Sequence, residues 1–402
     1  MRCALLCLFL TLSAPAMGQS VQAQFDAWLG DTAWPEARRA GLSRQEFQRF
    51  TAGLTPDLTI PGLSLDGTVP ATDSQAEFSA PARYFNERSM AALAAQGRSL
   101  AAEHATTLTR IERETGVPAH ILLAIWGRES NYGRAAIPHN ALQILATRAF
   151  TGTRRDAFLQ EFVAALQMVQ DDPNIPLRSS WAGAMGQPQF LPSSYLAYAR
   201  DGDGDGRADI WGSVPDTLAS IAAYLAAFGY DGRRDWGFEV RVPSALPCTR
   251  NGPDQGQSIA AWEAEGITRI SGRPFPAHER AGEAFLLMPA GRVGPAFLVT
   301  PNFYVLKDYN ESDLYALFVG NLGDRIAFGS PAFRADWGES DAMTRGAIAR
   351  AQEQLERQGY DVGGADGLIG FKTRRAIGQF QSREGSDPTC WPSAALINEI
   401  AR

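Results

Sequence analysis

Cysteine and histidine are both scarce, with four of each in 402 residues. His104, His120, His139 and His278 form no His-Glu-x-x-His arrangement, and the chain has no Gly-x-Ser-x-Gly turn. Zinc-peptidase and serine-nucleophile chemistry therefore lack their usual groups. Basic charge is in short supply too. Lys and Arg number 37 against 44 Asp and Glu, a net charge of −7, which gives no attraction for polyanions and argues against nucleic acid as a partner. No stretch reaches the ~20 consecutive apolar residues of a membrane-crossing helix, so no transmembrane segment is expected.

What is present begins with a leader. Arg2 precedes an apolar run from Ala4 to Leu12 and the small residues of Ser13-Ala14-Pro15-Ala16-Met17-Gly18, the layout of a secretory signal peptide over residues 1–18. Cys3 and Cys7 leave with it, and Cys7 stands before the apolar run is complete, so the exported protein is expected to be soluble rather than lipid-anchored. Cys248 and Cys390 remain. In an oxidising compartment they pair if they are close enough, which the sequence leaves open.

An apolar content of 45% and a charged content of 20% suit a globular chain. Phe25 to Phe50 reads as an amphipathic helix, and Thr55 to Pro70 as a loop. Helical periodicity dominates from Ser89 to Gly229. One long helix is expected to end near Gly116, and Pro118 then suits the first turn of a helix carrying Leu122, Ile125 and Trp126. Phe158, Phe162, Leu166 and Val169 mark another, and Asp216 reads as the N-cap of a helix ending before Gly229. Between Trp236 and Tyr304 short strand-like runs, Phe238 to Val242 and Phe297 to Val299, indicate a small β subdomain. A helix around Ser312 to Leu322 follows, then an aperiodic segment and a three-helix unit. The expected fold is mainly α (α+β), with domains over residues 19–326 and 342–402 joined by a linker at 327–341.

Two segments carry chemistry. Trp126-Gly127-Arg128-Glu129-Ser130-Asn131 ends an apolar helix, and Glu129 continues its apolar stripe. A carboxyl group on that face is desolvated, which raises its pKa toward the range a general acid needs; taken alone, a salt-bridged structural Glu explains it as well. The second is Ser180-Trp181-Ala182-Gly183-Ala184-Met185-Gly186-Gln187-Pro188-Gln189-Phe190-Leu191-Pro192-Ser193-Ser194-Tyr195. Its glycines and prolines impose an irregular loop that a ligand can approach closely, with Gln189 offering donor and acceptor to a sugar and Ser193 or Ser194 capping the next helix.

Together these motifs resemble the lysozyme-like lytic transglycosylases, and most closely the lytic murein transglycosylase B family. The likeness runs from about Gln75 to Asp324 and includes Val117-Pro118 and Asp308-Tyr309-Asn310-Glu311-Ser312-Asp313-Leu314-Tyr315-Ala316. It implies a lysozyme-like helical catalytic domain with Glu129 as the one acid/base. Ser180 and Gln189 would line the cleft, and Asn310 and Tyr315 would flank the cleaved sugar. The implied reaction cuts the bond between N-acetylmuramic acid and N-acetylglucosamine without water, leaving a 1,6-anhydro ring, in the periplasm and with no cofactor for the chemistry. A lysozyme-type hydrolase and a catalytically silent wall-binding scaffold are the rival readings. A monomer acting on peptidoglycan strands is expected.

Asp201-Gly202-Asp203-Gly204-Asp205-Gly206-Arg207 repeats the opening of an EF-hand-type calcium loop, with acids at positions one, three and five and Gly at six. Asp201, Asp203 and Asp205 would bind through carboxylates and Arg207 through its carbonyl. Gly212 stands where a twelfth-position Glu is usual, and the family pattern points to the later Asp216, displaced by one residue. Finally, Ala351-Gln352, Gly359-Tyr360, Asp366-Gly367, Gly370, Thr373, Ala376 and Phe380-Gln381 resemble the small peptidoglycan-binding domain appended to wall hydrolases. Cys390-Trp391 departs from its usual turn residues.

Overall fold

A computed structural model describes residues 20–63, 81–338 and 343–400. The expected signal peptide, the end of the Thr55–Pro70 loop and part of the expected linker lie outside these residues. The chain begins as three short helices rather than one: α1 Val21–Trp28, α2 Trp34–Arg39 and α3 Arg44–Thr51, the first two joined by π turns over Leu29–Ala33. Pro35 in the first turn of α2 has no N–H for an upstream carbonyl, and Gly41 turns the chain at φ +99° before a Ser43–Glu46 capping box starts α3 afresh.

Next come α4 Glu87–Glu103 and α5 Ala105–Thr115, which break at His104 (φ −102°, ψ 20°) where a single helix is expected. Gly116 ends α5 in the left-handed region. Pro118 is the N-cap of α6 Ala119–Ser130, just outside its first turn, and every residue of α6 from Ile121 to Gly127 is buried. A helix apolar on all sides belongs at the centre of a domain, and α6 is the core's central rod. The paired helices α7 Ala141–Thr151 and α8 Arg155–Asp171 complete that side of the core.

Two expected caps fall elsewhere. Leu191 caps α9 Pro192–Tyr198, while Ser193 sits inside its first turn, bonded through N and Oγ to the Glu161 carboxylate. Ser213, not Asp216, caps α10 Val214–Ala227, its Oγ accepting from Asp216 N at 3.2 Å. Asp216 is instead the third residue of the helix, and its carboxylate accepts from Gly202 N and Asp209 N.

The β subdomain follows the short pair β1 His139–Asn140 and β2 Arg178–Ser179. It is a five-stranded antiparallel sheet in the order β4-β6-β7-β3-β5: β3 Gly237–Arg241, β4 Gln257–Ser258, β5 Thr268–Arg269, β6 Glu283–Leu287 and β7 Ala296–Val299. Strand alternation sorts its two faces. Phe285, Leu287, Phe297 and Val299 join the helical core, whereas Ala284, Leu286, Ala296 and Leu298 pack with Trp262 of α11 Ile259–Ala264 in a second core. The sheet is thus a wall shared by two cores, which explains why β7 is buried throughout.

α12 Pro301–Asp308 packs on α13 Asp313–Phe328, which returns to α6. α13 runs past the expected start of the linker, and the described part of the linker is packed down. Trp337 stacks on Phe85 at 4.8 Å, and Phe333 meets Phe297 edge-on at 4.8 Å. The C-terminal unit, α14 Arg345–Arg357, α15 Phe371–Arg383 and α16 Ala394–Ile400, closes around Ile348, Leu355, Ala376, Phe380 and Trp391. Gln352, buried at its centre, braces the following turn by donating to Leu368 O and accepting from Gly367 N. Cys248 and Cys390 are joined in a disulfide that ties this unit to the second core.

Candidate active site

Glu129 lies in the last turn of α6, where the chain leaves the core through two residues with positive φ, Asn131 and Tyr132. Burial pushes its carboxyl up to about 7, against the opposing pull of a hydrogen bond from Tyr315 and the Arg128 charge. Tyr315 Oη donates to Glu129 Oε1 at 2.5 Å. The Arg128 guanidinium is turned away, donating to Tyr84 Oη and lying over the rings of Tyr84 and Phe318. One carboxylate oxygen of Glu129 is therefore fixed from α13.

The Ser180–Phe190 segment forms the facing wall. Met185 and Phe190 exchange backbone hydrogen bonds at 2.7 and 3.0 Å, closing a tight hairpin. Within it Gly186 has φ +64°, and a Cβ there would strike Ile210. Gln189 holds φ +54°, an uncommon state for a non-glycine residue and one concentrated at functional sites; its Nε2 donates to Gly186 O at 2.8 Å. Ser180 Oγ accepts from Ala182 N and Ala184 N, so this side chain shapes the loop. The hairpin is anchored on α6 by a buried residue that sequence reasoning passed over: Gln187 accepts from Trp126 Nε1 at 2.8 Å and donates to Trp211 O at 3.2 Å.

The third wall is the turn between α12 and α13. Tyr309, also passed over, donates to Pro188 O at 2.7 Å and stacks parallel to Tyr315 with centroids 6.2 Å apart. It joins the turn to the hairpin and backs the residue that holds Glu129. Asn310 is exposed on that turn, next to Glu311 at φ +53°. The structure thus puts Glu129 and Tyr315 in direct contact, and the Tyr309–Pro188 hydrogen bond joins the turn that carries Asn310 to the hairpin that carries Gln189. Gln187 and Tyr309 stand within the same motifs, two places from Gln189 and one from Asn310. That adjacency was the available signal. A cavity of about 330 Å³ beside the hairpin is lined by Ser130, Ile137, Gln187 and Trp211.

The acidic loop lies between α9 and α10. Carboxylate oxygens of Asp201, Asp203 and Asp205 lie within 4.8 Å of one another. Asp216 is buried, and its two oxygens accept from Gly202 N and Asp209 N, each at 2.7 Å. It braces the loop from beneath, a role its place in the first turn of α10 allows and the one-residue displacement in sequence explains. The Arg207 side chain points away to Asp172 at 3.0 Å.

Residues 24–324 match the family described as transglycosylase SLT domain, and residues 338–390 match the putative peptidoglycan binding domain. The membrane-bound lytic murein transglycosylase B of Escherichia coli (strain K12) is 35% identical over 229 residues, covering 56% of this chain and 61% of that protein. Among solved structures, SltB3 from Pseudomonas aeruginosa in complex with NAG-anhNAM-pentapeptide is 36% identical. Its TM-score is 0.82, over 94% of this chain and 99% of that one. The Escherichia coli lytic transglycosylase Slt35 in complex with calcium is 29% identical, with a TM-score of 0.60 over 77% of this chain and 94% of that one.

Proposed function

The chain belongs to the transglycosylase SLT domain family, and from that premise we propose that it is a lytic murein transglycosylase with Glu129 as its only acid/base. The protonated carboxyl delivers its proton to the oxygen linking muramic acid C1 to glucosamine C4, and the C1–O bond breaks. The carboxylate then accepts the proton of the muramoyl 6-hydroxyl as O6 bonds to C1. Proton and charge balance, Glu129 ends protonated, and no water enters. Both roles favour a pKa near the working pH, and the observation that carries the reading is the Glu129 carboxyl at the end of a buried helix, held by Tyr315 Oη at 2.5 Å, where burial pushes it up to about 7.

A hydrolase of the common kind needs a second carboxylate about 5–9.5 Å from the first. Among the described residues the other strongly raised acid is Asp324, also pushed by burial to about 7. It lies nine residues beyond Tyr315 on α13, about two and a half turns, so it leaves the opposite face of that helix and bonds Trp236 at 3.2 Å instead. The ring-closing route needs no second carboxylate, because the substrate supplies its own nucleophile. Ser180, Gln189 and Asn310 are assigned to the walls that hold the sugars, and the C-terminal unit to retention on peptidoglycan. SltB3 in complex with NAG-anhNAM-pentapeptide supports this substrate class.

The converging carboxylates of Asp201, Asp203 and Asp205 fit a hard divalent cation. Calcium is assigned there as a structural ion, away from the chemistry, and the calcium complex of Slt35 supports it. Export to the periplasm suits the Cys248–Cys390 disulfide, since such bonds persist in oxidising compartments. No helix among the described residues is long and apolar enough to cross a membrane. The deciding experiment is Glu129→Gln on purified sacculi. Loss of muropeptide release with sacculus binding retained is expected; undiminished release would remove the assignment.

A further inference from the structure

The C-terminal unit meets the first turn of α13 at an ion cluster in which Arg374 is buried and Asp313 and Lys307 are partly so. Asp313, first residue of α13, accepts from Lys307 Nζ at 2.8 Å through Oδ1 and from Arg374 of α15 at 3.1 Å through Oδ2. Burial pushes the Asp313 carboxyl up, but the two cations outweigh it and the net shift is downward. The Arg374 side chain is only 3% exposed. Its second terminal nitrogen donates to Ile369 O at 2.9 Å, and Nε has no partner among the described residues.

A buried ion pair is a weak source of stability, and one with an unsatisfied N–H weaker still; fixing register is the best-attested use of such pairs. What lies next to this one is the catalytic constellation. Tyr315 is two residues on, in the same helical turn, with its N–H on the Ser312 cap at 3.3 Å and its hydroxyl on Glu129. A turn rises about 5.4 Å as a rigid unit, so a shift of Asp313 is passed to Tyr315. The hydrogen bond to Glu129 is sensitive to such a shift because its strength falls steeply with angle.

We propose that Arg374 is a positioning residue for cleavage: by clamping Asp313 it sets the first turn of α13 and hence the Tyr315–Glu129 hydrogen bond. The C-terminal unit is then part of the catalytic apparatus as well as a wall anchor. The inference rests on the reading of Glu129 as the acid. It differs from simple tethering, which needs only the disulfide and the Arg375 contacts to Asp254 and Asn251 O along the same seam.

The test compares Arg374→Met, Arg374→Lys and Arg375→Met in the full chain, with Glu129→Gln alongside. Arg374→Met is expected to keep its circular dichroism and its KM for glycan strands within about twofold, yet to lose kcat about tenfold or more. The basic limb of its pH profile moves upward as Glu129 loses its donor; Arg128, Tyr309 and Tyr315, the charged and titratable groups that interact with Glu129, are all retained. Arg374→Lys recovers most of the rate, and Arg375→Met leaves rate and profile alone. Amide exchange over residues 312–316 is expected to quicken in Arg374→Met, a readout independent of turnover. A folded Arg374→Met with parental kcat, profile and exchange overturns the clamp. Should that variant fail to fold, Asp313→Asn takes its place with the same expected loss, and parental behaviour there overturns it equally. An inert Glu129→Gln beside a parental Arg374→Met sinks the clamp alone, whereas an active Glu129→Gln sinks the acid assignment and the clamp with it.

Discussion

Replacing Tyr315 by phenylalanine removes one hydroxyl from the cleft and keeps the ring that stacks on Tyr309. In the parent that hydroxyl donates to Glu129 Oε1 at 2.5 Å, a bond that favours the ionised acid and so opposes the effect of burial. A hydrogen bond to a charged group contributes roughly 1.5–3 kcal/mol, and one pKa unit corresponds to 1.36 kcal/mol. Losing it should therefore raise the Glu129 pKa by about one to two units. The sign follows from which form is stabilised: without the donor the carboxylate is less favourable, so protonation persists to higher pH. Cleavage starts with protonated Glu129, so the basic limb of kcat/KM should move from near 7 to roughly 8–9. The plateau rate should fall as the carboxyl loses its fixed orientation. Initial rates of muropeptide release between pH 5 and 10 measure this directly. A basic limb that stays in place or moves downward would refute the assignment of that limb to Glu129.

Other consequences are open to measurement. Glu129→Gln should lower turnover by about 10² or more, and its stability should gain on the parent as pH rises. The raised folded pKa stabilises the parent below the unfolded value of 4.5, and that contribution is lost as pH climbs through about 7; melting midpoints at pH 4 and pH 8 report it. Calcium at 100 times its dissociation constant should add about 2.7 kcal/mol of stability, seen as a higher melting midpoint that a chelator reverses and that Asp203→Asn abolishes. A Cys248→Ala/Cys390→Ala double variant opens a link across 142 residues. It should lose up to about 4 kcal/mol and expose the C-terminal unit to limited proteolysis.

The helix that carries Glu129 was legible because its signals are local. An apolar run and a proline ahead of it mark α6 whatever surrounds it. The strands β3 and β7 were legible as short strand-like runs set off by Pro and Gly, and the α-rich class with one small sheet follows from both. The break at His104 was not, since nothing in its local sequence opposes a continuous helix, and the split between α1 and α3 required weighing Pro35 and Gly41 against a convincing apolar stripe. Asp216 shows a different limit. Its type suits a ligand, a cap or a brace equally, and only the positions of Gly202 and Asp209 N–H groups decide. Long-range partners were the least legible. Gln187 meets Trp126 across 61 residues and Arg374 meets Asp313 across another 61, contacts that no spacing rule reaches, and the Cys248–Cys390 bond depends on where two separate cores come to rest.

Digestion of sacculi in ¹⁸O-labelled water, read by mass spectrometry, tests most directly whether one carboxyl drives a ring closure that excludes solvent. Released muropeptides should lack the mass of one water relative to the reducing form and carry no label. Reducing muramic acid ends bearing ¹⁸O would mean that water is the nucleophile and that a second group in the cleft activates it.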